Sequence, residues 1–311
     1  MKIQDTINKT KIPVIIDTDV GSDIDDFWAL VMALNSPELD IRLIVTERGD
    51  TEYRAKLVAK LLEISGRTDI PVGVGTSTFQ EIPVISQRPW VEDYMLENYP
   101  GIVYRDGVNA IIDTIMRTSD FIVIISLGPV TNLAQALEIE PRISSKARFI
   151  GMQGSLFKGR YGEEKVIPTV NIIQDVAACQ KVFEAPWDVT ITPVDTCSLI
   201  RLKEEKFQAV AKSSTPIVKA LLENYKIWHE NTVWKHQNLD TDNESTVLFD
   251  TEAVYMAFSE ELLDVKEYGL RVTDDGYTII DENAKKIRCA IGWKDLDAYE
   301  NLLVARITAL S

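Results

Sequence analysis

The stretch Ile12-Pro13-Val14-Ile15-Ile16-Asp17-Thr18-Asp19-Val20-Gly21-Ser22-Asp23-Ile24-Asp25-Asp26-Phe27 decides how this chain is read. An apolar run over 12–16 leads directly into five aspartates, Asp17, Asp19, Asp23, Asp25 and Asp26, and an apolar helical pattern begins at Phe27. Two unit charges about 4 Å apart repel by about 4 kcal/mol at an effective dielectric of 20. Acids this dense need a cation, shared protons or splayed side chains, and a hard divalent cation is the economical solution. A helix N-terminus collecting carboxylates against its dipole accounts for one or two of them, not for all five.

Outward from that stretch, apolar β-rich runs alternate with helical patterns. Strands are predicted at 13–17, 40–46, 70–74, 121–126, 148–152 and 189–194, and helices at 27–34, 51–65, 109–117, 130–138 and 175–183. The run Ile41-Arg42-Leu43-Ile44-Val45 is nearly continuous in apolar residues, as strands covered on both faces are. The alternation predicts an α/β protein with a doubly wound, mostly parallel sheet flanked by helices. A β-hairpin turning at Asp274-Asp275-Gly276, a further strand and a final helix are expected towards the C-terminus. No internal repeat or linker divides the sequence, so one domain over residues 1–311 is expected.

Composition narrows the function. The 311 residues are 45% hydrophobic, ample for a large core. A formal charge of −15, with no basic block, argues against nucleic acid or an anionic membrane surface as partner. Cys179, Cys197 and Cys289 lack metal-ligand spacing and read as buried thiols. Without a signal-like N-terminus or a long apolar run, a cytoplasmic protein is the default expectation.

In a doubly wound sheet, ligands bind beyond the carboxyl ends of the strands, where the loop 17–26 must lie. All-oxygen ligation there suits Ca²⁺ or Mg²⁺. The loop and the Ala-Leu-containing helix after it resemble the aspartate signature of the calcium-dependent inosine–uridine type nucleoside hydrolases. The glycine and the Asp25-Asp26 pair are separated by the longer of that family's spacings. The resemblance continues through Leu61-Leu62-Glu63-Ile64-Ser65-Gly66-Arg67-Thr68-Asp69-Ile70-Pro71-Val72, Leu127-Gly128-Pro129-Val130-Thr131-Asn132-Leu133-Ala134, Asn171-Ile172 with Asp175, and Phe249-Asp250-Thr251-Glu252-Ala253-Val254.

That resemblance implies hydrolysis of the N-glycosidic bond of a ribonucleoside, with Ca²⁺ held by Asp19, Asp26, the Leu127 carbonyl and Asp250. It implies that Asp25 and Asn171 hold ribose hydroxyls, and that Asp19 takes the proton of a calcium-bound water. Asp50 falls where the family has a ribose-side asparagine. A homodimer or homotetramer is implied as well. Thr169 stands where a glutamate is expected just before Asn171, and an asparagine expected earlier has no counterpart near Glu163. Phe249 replaces the histidine associated with protonating a purine leaving group, so a pyrimidine or mixed preference is favoured. In the aromatic segment 225–236, Tyr225, Trp228 and Trp234 are candidates to stack on a base, and His229 or His236 to donate a proton. Two other readings stay open. Asp-x-Asp after a strand also suits a phosphatase of the haloacid dehalogenase type, and Thr169 with Phe249 suits a catalytically silent riboside binder.

Overall fold

The computed structural model describes residues 11–78, 84–233 and 239–309. Its ten strands are β1 (Ile12–Thr18), β2 (Leu39–Thr46), β3 (Val72–Val74), β4 (Val103–Tyr104), β5 (Ile122–Ser126), β6 (Ala147–Gly151), β7 (Val189–Ile191), β8 (Leu263–Val272), β9 (Thr278–Ile280) and β10 (Lys286–Trp293). The helices are α1 (Asp25–Leu34), α2 (Thr51–Ile64), α3 (Gly107–Arg117), α4 (Thr131–Ile139), α5 (Val170–Ile173), α6 (Val176–Glu184), α7 (Val194–Cys197), α8 (Glu204–Ala211), α9 (Pro216–Asn231), α10 (Thr251–Met256) and α11 (Leu296–Ile307). The strands form one sheet in the order β4-β3-β2-β1-β5-β6-β7-β10-β8-β9. From β4 to β10 neighbours run parallel, while β8 is antiparallel to both β10 and β9.

The order explains where a site can form. From β1 the chain moves outward through β2, β3 and β4, then crosses back so that β5 lies on the other side of β1. Loops leaving β1 and β5 therefore diverge to opposite faces and open a crevice between them. Asp17 pairs with Ser126 across this junction, so the aspartate loop and the Leu127 loop start side by side.

Apolar residues cover both faces of the sheet. On one side, Val14, Ile16 and Ile44 pack with α1, α2, α9, α10 and α11. On the other, Ile15, Leu43, Val45 and Ile124 pack with α3, α4 and α6. Strict alternation of β1 side chains between these layers produces the near-continuous apolar run seen in the sequence. Every strand predicted from the sequence is present. The run at 189–194 is cut short, because Pro193 precedes α7 and the strand ends at Ile191.

Candidate active site

The loop after β1 is held from below by one arginine. Arg54, fully buried on α2, donates to the main-chain carbonyls of Asp19 and Val20, to Ser22 Oγ (2.9 Å) and to the carbonyl of Arg48 (2.7 Å). Carbonyls that leave a strand lose their ladder partners, and burial demands replacements. Gly21 has φ +112°, and a Cβ there would lie 2.8 Å from both Leu57 and Tyr53 side-chain atoms, so the turn requires glycine. Tyr53 donates its hydroxyl hydrogen to the Gly21 carbonyl at 3.0 Å. Thr18 donates to Asp26 Oδ1 and accepts from the Val20 amide, linking the strand end to the first turn of α1.

Asp25, Asp26 and Asp250 converge: one carboxylate oxygen from each lies within 4.8 Å of the others, and all three side chains are buried. Asp25 and Asp26 open α1, whereas Asp250 immediately precedes α10, which packs against α1. Burial pushes all three carboxyls well above the usual range, and the neighbouring acids push them further. Asp17 is raised to about 7 by burial, against its hydrogen bond from Asn132, and Asp23 to about 6 by burial. Such a buried, all-oxygen, mutually repelling donor set fits a hard divalent cation, whose charge removes the penalty. The Leu127 carbonyl lies on the same cleft and accepts from Asn171 Nδ2 at 2.8 Å, leaving a second lone pair.

The model of the inosine-uridine preferring nucleoside hydrolases matches residues 14–305. The chain belongs to that family. A probable uridine nucleosidase of Arabidopsis thaliana is 26% identical over 91% of this chain and 89% of its own length. The pyrimidine-specific ribonucleoside hydrolase RihA of Escherichia coli is 28% identical over 72% of this chain and 74% of its own. Among solved structures, a plant nucleoside hydrolase superposes with a TM-score of 0.81 at 23% identity, covering 97% of this chain and all of the other. A purine-preferring ribonucleoside hydrolase from Gardnerella vaginalis follows at 0.77 and 21%, covering 95% and 98%. The phosphatase reading loses its basis.

The hydrolase cleft gathers most of the residues singled out in the sequence. Asp19, Asp25, Asp26, Leu127, Thr169, Asn171, Phe249 and Asp250 all line it. Asn171 also donates to the Met152 carbonyl at 3.0 Å, and Thr169 Oγ1 accepts from the Gly154 amide. Three expectations need correction. Asp50 lies off the cleft, capping α2 through the Tyr53 amide and pairing with Arg88 on the surface. Trp228 is a core residue stacked on Tyr225 at 5.8 Å, because the apolar side of α9 turns it inward. His229 is half-buried on α9 and is not part of the cleft wall. Trp234 and His236 lie outside the described residues.

The cleft also contains residues that sequence reading passed over. Arg48 follows Glu47 at the exit from β2 and places its guanidinium against Asp19 Oδ2 at 2.6 Å. Arg160 and Tyr161 enter from the short polar loop after β6. Glu47, fully buried behind Gly128, faces the Thr131 and Asn132 amides at the start of α4, and burial with the charges of Asp17 and Asp19 drives its carboxyl well above the usual range. A lone Arg and a lone Glu in a loop have no periodicity to betray them. Their only signal was position: the loop after β2, beside the switch point.

Proposed function

We propose that this hydrolase cleaves ribonucleosides, pyrimidine nucleosides in preference to purine nucleosides, to ribose and free base, with Ca²⁺ at the aspartate cluster. The observation that carries the metal reading is the convergence of Asp25, Asp26 and Asp250 in a buried all-oxygen group. Of that group Asp26 and Asp250, joined by Asp19 and the Leu127 carbonyl from the same cleft, would hold the ion, leaving Asp25 to the sugar. Bound there, it supplies the positive charge that lowers the pKa of a water and orients it.

The remaining chemistry falls to the chain. Both amide hydrogens of Asn171 are engaged by main-chain carbonyls, so its Oδ1 is the atom left to accept from a ribose hydroxyl. Asp25, at the mouth of α1, is the second sugar-binding group, and Thr169 adds a hydroxyl to the same cleft wall. Holding the sugar on two sides fixes the anomeric carbon against the attacking water. Asp19, on the cleft wall, would be the base that accepts a proton from the attacking water. The surrounding carboxylates stabilise positive charge building on the sugar as the bond to the base breaks.

Phe249 puts an apolar ring where a proton donor to the base would serve, which supports substrates whose base leaves without an acid at that position. The names of the Arabidopsis and Escherichia relatives point the same way. A cytoplasmic homodimer or homotetramer completes the proposal. Among the described residues no helix is long and apolar enough to cross a membrane.

Ribose release from uridine, cytidine, inosine and adenosine, with added Ca²⁺ and with chelator, tests this reading. Uridine or cytidine should be cleaved fastest, with loss on chelation and recovery on adding Ca²⁺. Absence of turnover on every riboside in saturating Ca²⁺ would sink it in favour of a silent binder, for which Thr169 and Phe249 are the structural argument.

A further inference from the structure

Among the described residues, the acid cluster meets one cation through a carboxylate. Arg48 Nη1 donates to Asp19 Oδ2 at 2.6 Å, with the two side chains only 7% and 6% exposed. Arg54, the other buried guanidinium, serves the main-chain carbonyls of the loop and not its carboxylates. Arg160 lines the same cleft without an ion pair among the described residues.

The backbone is bent to deliver this contact. Arg48 sits at φ +69°, a conformation unfavourable for a residue with a Cβ. It is held there from both sides, its amide donating to the Thr76 carbonyl and its own carbonyl accepting from Arg54 Nε. Gly49, also at positive φ, then turns the chain into α2. The same arginine that fixes the aspartate loop thus fixes the residue whose guanidinium returns to it.

We propose that Arg48 is a resident counter-ion that competes with the divalent cation for Asp19. This rests on the metal-dependent reading above. With Oδ2 accepting from Arg48, part of the Asp19 charge is already compensated, and Oδ1 is the oxygen that faces an ion or a water without that competitor. A guanidinium this close to the ion also repels it in a site where water screens poorly. Without metal, the arginine neutralises Asp19, whose charge otherwise adds to the repulsion on Asp25, Asp26 and Asp250. With metal, it competes for the charge of Asp19 and holds the affinity down. Arg48 is therefore a positioning residue whose removal strengthens metal binding, the opposite of what loss of a purely structural support would do.

The test is Ca²⁺ binding by calorimetry to the full chain and to two variants, with Tm measured across a Ca²⁺ titration. Arg48→Gln keeps a hydrogen-bond donor to Asp19 but removes the charge; it should bind Ca²⁺ about tenfold more tightly, the scale on which residues behind metal ligands act. Its Tm without metal should fall. Arg48→Lys keeps the charge and should stay near wild-type affinity. If the Gln variant is unfolded without metal, its intrinsic constant is taken from the Ca²⁺ dependence of its Tm, corrected for the folding cost that weakens the apparent one, and should still lie below that of the wild type. Equal or weaker Ca²⁺ binding by Arg48→Gln, or equally tightened binding by Arg48→Lys, overturns the proposal. Failure of the wild-type chain to bind Ca²⁺ at all would instead overturn the metal reading on which it stands.

Discussion

Asn171 and Leu127 are joined by a single hydrogen bond, side-chain Nδ2 to main-chain carbonyl at 2.8 Å, across the ends of α5 and β5. The bond ties a proposed sugar-binding side chain to a proposed metal ligand, so neither can shift without the other. Asn171→Ala should lower kcat by about 10²-fold, the penalty of a misplaced reacting group, and weaken Ca²⁺ binding by about tenfold. Steady-state kinetics on uridine and calorimetry would read the two effects separately. Loss of kcat with unchanged Ca²⁺ affinity would break the proposed link.

Without metal, this hydrolase should be less stable at pH 8 than at pH 5. Asp17 is raised to about 7, chiefly by burial, and Asp25, Asp26 and Asp250 are raised well above their ordinary value for the same reason. A carboxyl whose folded pKa exceeds its unfolded one binds more protons when native, so stability is full below the unfolded pKa, about 4, and is lost as pH rises through the folded value. Urea unfolding in chelator should give a difference of at least about 2 kcal/mol between the two pH values. Saturating Ca²⁺ should remove or reverse it.

Phe249→His should raise kcat/KM for inosine by about tenfold or more while changing uridine little. General acid catalysis contributes about 10²–10⁴-fold where the donor is well placed, and the ring of residue 249 lies on the cleft wall. The gain should fade as pH passes the ordinary histidine pKa, about 6.5. A pH profile of both substrates against the wild-type chain is the measurement.

Gly128→Ala should inactivate the protein more than it unfolds it. A Cβ on Gly128 would lie 2.7 Å from Glu47 Oε1 and 3.0 Å from Asp19 Oδ1, so two buried acids would have to move. Overpacking of this kind costs about 1–3 kcal/mol. Thermal unfolding should show a modest loss, and ribose release a drop of at least about tenfold through displaced Asp19.

Much of this architecture was legible in the residues. Apolar runs foretold β1, β2, β3, β5, β6 and β7, because a buried parallel strand leaves an unbroken apolar trace; the two-residue β4 is too short to leave one. The aspartates announced the site because no packing reason collects five acids between a strand and a helix. Asp250 could be assigned only through the resemblance, since nothing local says that the start of α10 meets the start of α1. Trp228 misled because an aromatic helix near a proposed cleft reads alike whether its rings face the ligand or Trp28 and Tyr225 in the core. Asp50 misled for a different reason: a helix cap and a ligand-binding acid have the same sequence appearance. Arg48 went unseen because its role depends on a left-handed backbone, which a sequence signals reliably only at glycine.

The packing of α1 against α10 and α11 has a consequence for the newborn polypeptide. During synthesis the strand–loop–helix unit bearing the aspartates emerges early, while the helices that cover α1, and the acid that closes the cluster, emerge late. Until then α1 must wait with its apolar side uncovered and its carboxylates unclosed, the kind of half-finished surface that invites aggregation or chaperone binding. Closure of the aspartate cluster is thereby deferred until α10 has been made and can meet α1.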